Sequence, residues 1–225
     1  EPEARHAATR RRGDHGDDEA MSTAARAPRT HGDLFANIWQ GRRVCGADEA
    51  GRGRFWLSAT LDEAGSRSWG ADYPRTVSWV KLRPRPAGPL LVFANTHLDY
   101  AGTAPGESAR LLRRWAGEAV GDAPLIVTGD FNTDRESEAH RTLIAGGALV
   151  DVLAQAGVAT GTFHDYGQAA ELEAIDWILA SPHFRVVEAG VDTWRGERLY
   201  PSDHFPVTAR LSLENTVGLG ARQPG

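Results

Sequence analysis

Disulfide chemistry is closed to this chain, because its one cysteine, Cys45, has no partner within the sequence. That thiol is read as a small packing group rather than a nucleophile, and it leaves the redox compartment open. Long apolar runs are lacking as well. No stretch approaches the ~20 residues of a membrane span. No apolar segment follows a basic start as in a secretory leader, so the expectation is a cytoplasmic location. Excess positive charge is also missing: 25 Lys and Arg face 30 Asp and Glu, for a net charge of −5. No global field therefore draws the chain to nucleic acid, although a local basic groove remains compatible with that total. Finally, no Cys/His spacing suggests zinc.

Apolar residues are unevenly placed. Residues 1–33 contain no Val, Ile, Leu, Phe, Tyr or Trp. Such a segment cannot bury enough surface to offset the ordering of its backbone, and it is read as a disordered, charged tail. Its triplet Arg10–Arg12, answered by Asp17–Glu19, is read as solvated rather than as a nucleic-acid contact. Residues 215–225 form a second, Gly-rich tail. Between them, 34–214 is long enough for one domain with a substantial core. Short β-branched or aromatic runs at 34–39, 55–59, 76–82, 90–96, 125–128, 175–179, 185–191 and 207–213 predict strands. Apolar spacing predicts helices over 107–120, stopped by Gly121, and over 137–145, stopped by Gly146 and Gly147. Strands outnumber helices, which suggests packed sheets with helices outside.

Polar clusters sit at the ends of several strands. Asn95-Thr96-His97 follows LLVFA, Gly129-Asp130-Phe131-Asn132 follows PLIVT, Asp176 interrupts AIDWIL, and Asp203-His204 precedes the last strand. Carboxylates, amides and imidazoles delivered by several strand ends are what metal-assisted phosphoester hydrolysis needs. Each cluster also has a plainer reading. Asp130 and Asn132 alone read as an Asx turn, and His97 alone as a structural or exposed strand-end residue. An Asp between Ile175 and Trp177 is costly without a partner, and His204 is its natural one. Arg75 reads equally as a phosphate ligand or a surface arginine. Tyr73, Trp69 and Trp79 are read as packing, His164 as a weak substrate contact, and His6, His15, His31, His140 and His183 as solvated.

Taken in order, NTHLD, IVTGDFN, IDWIL and PSDHFPV resemble the motifs of the endonuclease/exonuclease/phosphatase superfamily, across residues 53–213. FWLS and YPRTVSW at 55–79 resemble bacterial members of it. The resemblance implies an α/β (α+β) four-layer sandwich, two mixed β-sheets flanked by helices. It implies that Asp130 activates water, that Asn132 and His97 hold the phosphate, and that Asp176 buttresses His204. Asp203 would bind Mg²⁺ or Mn²⁺, with Asn37 near the metal.

One stretch departs from that pattern. The strand bearing Asn37 is normally followed by a helix and by a strand ending in Gln-Glu, whose Glu ligates the metal. Only about fifteen polar, Gly-rich residues separate Trp39 from Phe55, with no strand-like run and no Gln-Glu pair. The expectation is an internal loss near 41–53, a fold incomplete on its N-terminal side, weak metal binding and marginal stability. The leading functional reading is a Mg²⁺-dependent phosphoesterase on a monoester or diester, with a small substrate favoured over nucleic acid. Its alternatives are an impaired remnant acting at most as a binding module, and a nuclease.

Overall fold

The computed structural model describes residues 33–34, 47–85, 88–195 and 200–214. Asn37, Cys45, Arg10–Arg12, His6, His15 and His31 lie outside the described residues, as does the 215–225 segment. Strands β1 (Asp33–Leu34), β2 (Ala47–Trp56), β3 (Thr76–Pro84) and β4 (Leu91–His97) lead into helix α1 (Ala104–Trp115). Then follow β5 (Leu125–Asp130), α2 (Glu138–Ile144), β6 (Val150–Asp151), α3 (Val152–Gln155), β7 (Asp176–Ala180), β8 (Phe184–Val191) and β9 (Val207–Leu213). Two sheets result, ordered β2-β3-β4-β5-β7-β6 and β1-β9-β8. In the larger sheet β4 and β5 run parallel, joined through α1, and the other pairings are antiparallel. The α/β architecture of sheets flanked by helices is the one expected.

Alternation along the strands divides the apolar residues between two cores. Val77, Ala94, Val127 and Trp177 cluster with Ala109, Leu112 and Leu143 of α1 and α2. Leu82, Phe93, Ile126 and Ile178 cluster with Phe184 and Leu211 of the second sheet. Strands covered on both faces read as continuous apolar runs, which is why LLVFA and PLIVT stand out in the sequence. Helix α1 places Pro105 and Glu107 in its first turn and Arg113 and Arg114 in its last, as the helix dipole favours. The expected helix to 120 ends differently: Ala116–Val120 is a π-turn, closed by Gly121 at φ 60°.

The segment 47–54, expected to lack a strand, is the first part of β2, paired antiparallel with β3. Gly53 packs rather than breaks it. A Cβ at Gly53 would overlap the Trp79 ring, so the missing side chain admits the indole. Exposed charges and a bulge between Glu49 and Gly51 suit its place at the sheet edge. At its other end the strand stops at Trp56, not at residue 59. There Trp56 N–H donates to the Leu61 carbonyl at 2.9 Å and the chain turns.

His140, expected to be solvated, is instead buried. Ser137 caps α2 by accepting from His140 N–H, and the imidazole meets Trp177 edge-on at 4.7 Å. Its Nε2 lies 3.1 Å from Asp151 Oδ2, which also accepts from Arg135 Nε at 2.7 Å.

Candidate active site

His97, Asp130 and Asp176 are cross-strand partners on β4, β5 and β7. Partners in register share a face, so three motifs far apart in sequence form one row. Gly129 makes the row possible, because a Cβ there would overlap the Thr96 carbonyl oxygen. His204 arrives from the loop before β9 and completes the group.

Asp130 stands at the centre. Its Oδ2 is 3.2 Å from His97 Nε2 and 3.9 Å from His204 Nε2. Its Oδ1 accepts from Asn132 N–H at 2.8 Å. Asn132 is left-handed, at φ 50°, a conformation asparagine tolerates better than most residues. Its side-chain amide donates to the Leu98 carbonyl at 2.8 Å and keeps one N–H free. The Asx turn and the functional motif are thus one object.

His204 Nδ1 lies 2.7 Å from Asp176 Oδ2, and the ring packs beside Phe163 with centroids 5.0 Å apart. Asp203 accepts the Ser202 hydroxyl at 3.2 Å, while its carbonyl accepts His164 N–H at 2.9 Å. His164 itself is buried and structural. Its Nδ1 accepts from Gly167 N–H, and its ring lies against Tyr200 and Phe205. That packing removes it from the substrate contacts expected of it.

The electrostatics separate the roles. Burial, then the nearby Asp176 charge, pushes the Asp130 carboxyl above its ordinary range. The hydrogen bond to Asp176 raises His204 above 6.5 against its own burial, helped by the charges of Asp130 and Asp203. Burial lowers His97, with Arg75 and His204 adding to that and Asp130 opposing it.

Asp130, Asp176 and His204 offer ligand atoms all within 4.8 Å of one another, a group able to hold a metal ion. Two carboxylates suit a hard divalent cation. In this group, however, His204 Nδ1 and Asp176 Oδ2 already satisfy each other, and Asp130 Oδ1 is held by Asn132.

Arg75 lies beside the row. Its Nε is buried without a hydrogen-bond partner, 3.8 Å from the buried Asp99. Asp99 accepts Tyr73 N–H and Ala101 N–H, each at 2.8 Å. Burial pushes the Asp99 carboxyl up, but these amides and the Arg75 charge outweigh it and hold the group below its ordinary range. Tyr73, read as packing, is 52% exposed because that hydrogen bond fixes its backbone at the rim. Ser78, which joins Asn95, Arg75 and His97 around a cavity, was not singled out by sequence. Its signal is strand register, Ser78 pairing with Asn95 two residues before His97 and so on the same face.

The model of the endonuclease/exonuclease/phosphatase family matches residues 7–204. An endonuclease/exonuclease/phosphatase family protein from Bacteroides thetaiotaomicron is similar at 34% identity, over 77% of this chain and 68% of that one, with a TM-score of 0.70. A mannosyl-6-phosphatase from Bacteroides thetaiotaomicron VPI-5482 is similar at 34% identity, over 76% and 68%, with a TM-score of 0.68. The human nocturnin catalytic domain shares the fold at 20% identity, over 75% and 60%, with a TM-score of 0.57. No curated protein matches. Four motifs in order, a row of three of them across one sheet, and a family model spanning most of the sequence agree: the chain belongs to the endonuclease/exonuclease/phosphatase family.

Proposed function

We propose that this chain is a divalent-metal-dependent phosphoesterase acting on a small phosphoester, first of all a sugar phosphate monoester. The observation that carries the reading is Asp130, raised above its ordinary range and set between His97 and the Asp176-bound His204. Likeness to a mannosyl-6-phosphatase favours a sugar phosphate, and the net charge of −5 favours a small substrate over nucleic acid.

Asp130 Oδ2 takes a proton from water, whose oxygen attacks phosphorus in line with the leaving oxygen. A raised pKa makes this carboxylate a stronger base than an exposed one. Asp176 keeps His204 cationic, so that its Nε2–H binds a phosphate oxygen as charge develops. The free N–H of Asn132 and the Arg75 guanidinium hold further phosphate oxygens. His97, lowered by burial, stays neutral near pH 7 and orients the phosphate by a hydrogen bond.

Because the Asp130, Asp176 and His204 atoms are engaged with one another and with Asn132, the metal is assigned to Asp203, with Asn37. Bound Mg²⁺ or Mn²⁺ supplies positive charge beside the phosphate oxygens. The absent Gln-Glu step leaves it fewer carboxylates, so weak binding is part of the proposal.

The test is hydrolysis of an aryl phosphate monoester and diester with Mg²⁺ or Mn²⁺, beside His204→Ala. Metal-dependent turnover in the parent, lost by roughly 10²-fold or more in the variant, supports the reading. Equal traces in both proteins would leave the chain an inactive remnant, at most a binding module. Steep salt dependence and competition by DNA would point to a nuclease instead.

A further inference from the structure

The rim beside the phosphate site carries a feature that hydrolysis does not explain. Tyr73 and Tyr100 are both more than half exposed, and their rings meet edge-on with centroids 6.3 Å apart. Two large aromatic rings kept side by side in solvent mark a contact surface. One buried carboxylate builds it: Asp99 accepts from Tyr73 N–H and Ala101 N–H and faces Arg75. Both loops are therefore tied to a single anchor. The Arg75 guanidinium in turn sits 5.3 Å from the Tyr73 ring.

Between Arg75 and His97 opens a cavity of about 190 Å³ whose floor includes Ser78 and Asn95. Asn95 spends its amide on Thr128, at 3.0 and 3.2 Å, which leaves its carbonyl oxygen as an acceptor. The Ser78 hydroxyl adds a donor and an acceptor. Arg75 lines the cavity as well, with its buried Nε 3.8 Å from Asp99. The space thus joins the Ser78 hydroxyl and the Asn95 carbonyl to His97, and Arg75, which lines it, connects it to the Tyr73 ring outside it.

We propose that this cavity and the Tyr73–Tyr100 pair form the subsite for the non-phosphoryl part of the substrate, a single hydroxyl-bearing ring of pyranose type. The assignment rests on the phosphoesterase reading and locates where that substrate is recognised. Size sets the first limit. Pockets for drug-sized ligands run to roughly 300–1,000 Å³, so this one takes one ring and not an oligomer. Polarity sets the second. Ser78 and Asn95 match alcohols, whereas a nucleobase would want apolar walls on both faces. The C–H face of a pyranose packs on the tyrosines, its hydroxyls reach Ser78 and the Asn95 carbonyl, and Arg75 spans ring and phosphate.

The experiment compares the parent chain with Tyr73→Ala/Tyr100→Ala, both melted by circular dichroism to confirm folding. It measures kcat/KM with Mn²⁺ for a hexose 6-phosphate, glycerol phosphate and 5′-AMP. The same ligands are titrated by calorimetry, so that binding is read without turnover. The expected result is a preference for the hexose phosphate in the parent. In the variant, the ratio of hexose phosphate to glycerol phosphate should fall roughly tenfold, through KM. Loss of hexose phosphate binding in the variant, in a parent that binds it but hydrolyses nothing, would keep the subsite and overturn the phosphoesterase reading. An unchanged ratio, a parent preference for 5′-AMP, or a parent that neither binds nor hydrolyses the hexose phosphate would overturn the subsite. A variant that fails to fold is replaced by Ser78→Ala, for which the same ratio must fall.

Discussion

At the scale of single residues, the role proposed for Asp176 is exerted through His204, its hydrogen-bond partner, and a pH profile tests it. The His204 value is raised in the folded protein, so its cation is present at low pH and lost as pH rises through that raised value. The alkaline limb of kcat/KM therefore lies above the ordinary histidine range. Asp176→Asn removes the hydrogen-bonding anion, lowers His204 and moves that limb toward acid, with kcat/KM down roughly 10²-fold. A pH-rate profile decides it: an unmoved limb would show that His204 is not the titrating group. Asp130→Asn should cost roughly 10²–10⁴-fold in kcat at unchanged melting temperature, since the amide keeps the acceptor that holds Asn132 N–H. The residues of this row were legible because each interrupts an apolar strand end, where a polar side chain needs a reason. His140 and His164 were not legible. Their burial depends on Asp151, Trp177, Tyr200 and Phe205, which nothing local couples to them.

At the scale of elements, one close approach inside the larger sheet and one buried carboxylate at its edge hold the strands in place. Gly129→Ala places a methyl group against the Thr96 carbonyl and forces β5 away from β4. A loss of about 1–3 kcal/mol in denaturant unfolding is expected, together with activity, because Asp130 is the next residue. Asp151 ties β6 to α2 and to Arg135, and it accepts the Ala154 N–H that opens α3. Burial raises its carboxyl, but His140, Ala154 and Arg135 together hold it below the ordinary range. Its contribution is thus complete above the unfolded value and lost as pH falls through the lower, folded one. Asp151→Asn should cost about 3 kcal/mol at pH 7 and flatten the acid limb of stability between the two values. Urea midpoints at pH 7 and pH 3 measure both effects. Most strands were readable from apolar runs, since both faces of the central strands are covered. The first part of β2 was hidden because Gly51, Gly53, Arg52 and Arg54 carry no strand preference; pairing with β3 and the Trp79 ring over Gly53 supply what propensity does not.

At the scale of the whole molecule, the proposed weak metal binding bears on stability. If Mn²⁺ binds weakly, saturating ion adds little: at ten times Kd, linkage gives only about 1.4 kcal/mol. Melting with and without 10 mM Mn²⁺ should therefore shift by a few degrees, and a larger shift would reveal a fuller ligand set than Asp203 and Asn37. The family and the layered architecture were legible in four short motifs, whereas the proposed ring subsite was not, because Ser78 meets Asn95 only once β3 and β4 are in register, and Tyr73 meets Tyr100 only in the folded loops. The His97, Asp130 and Asp176 row sits on β4, β5 and β7, inner strands paired on both sides, while the tyrosine rim hangs on loops tied to Asp99. Amide hydrogens of those inner strands should exchange only when the whole domain opens, and those at 99–101 through local fluctuation. Under the proposed function, successive substitutions in the rim retune which substrate enters while the His97, Asp130 and Asp176 row stays in place, so selectivity is free to drift at little risk to the chemistry.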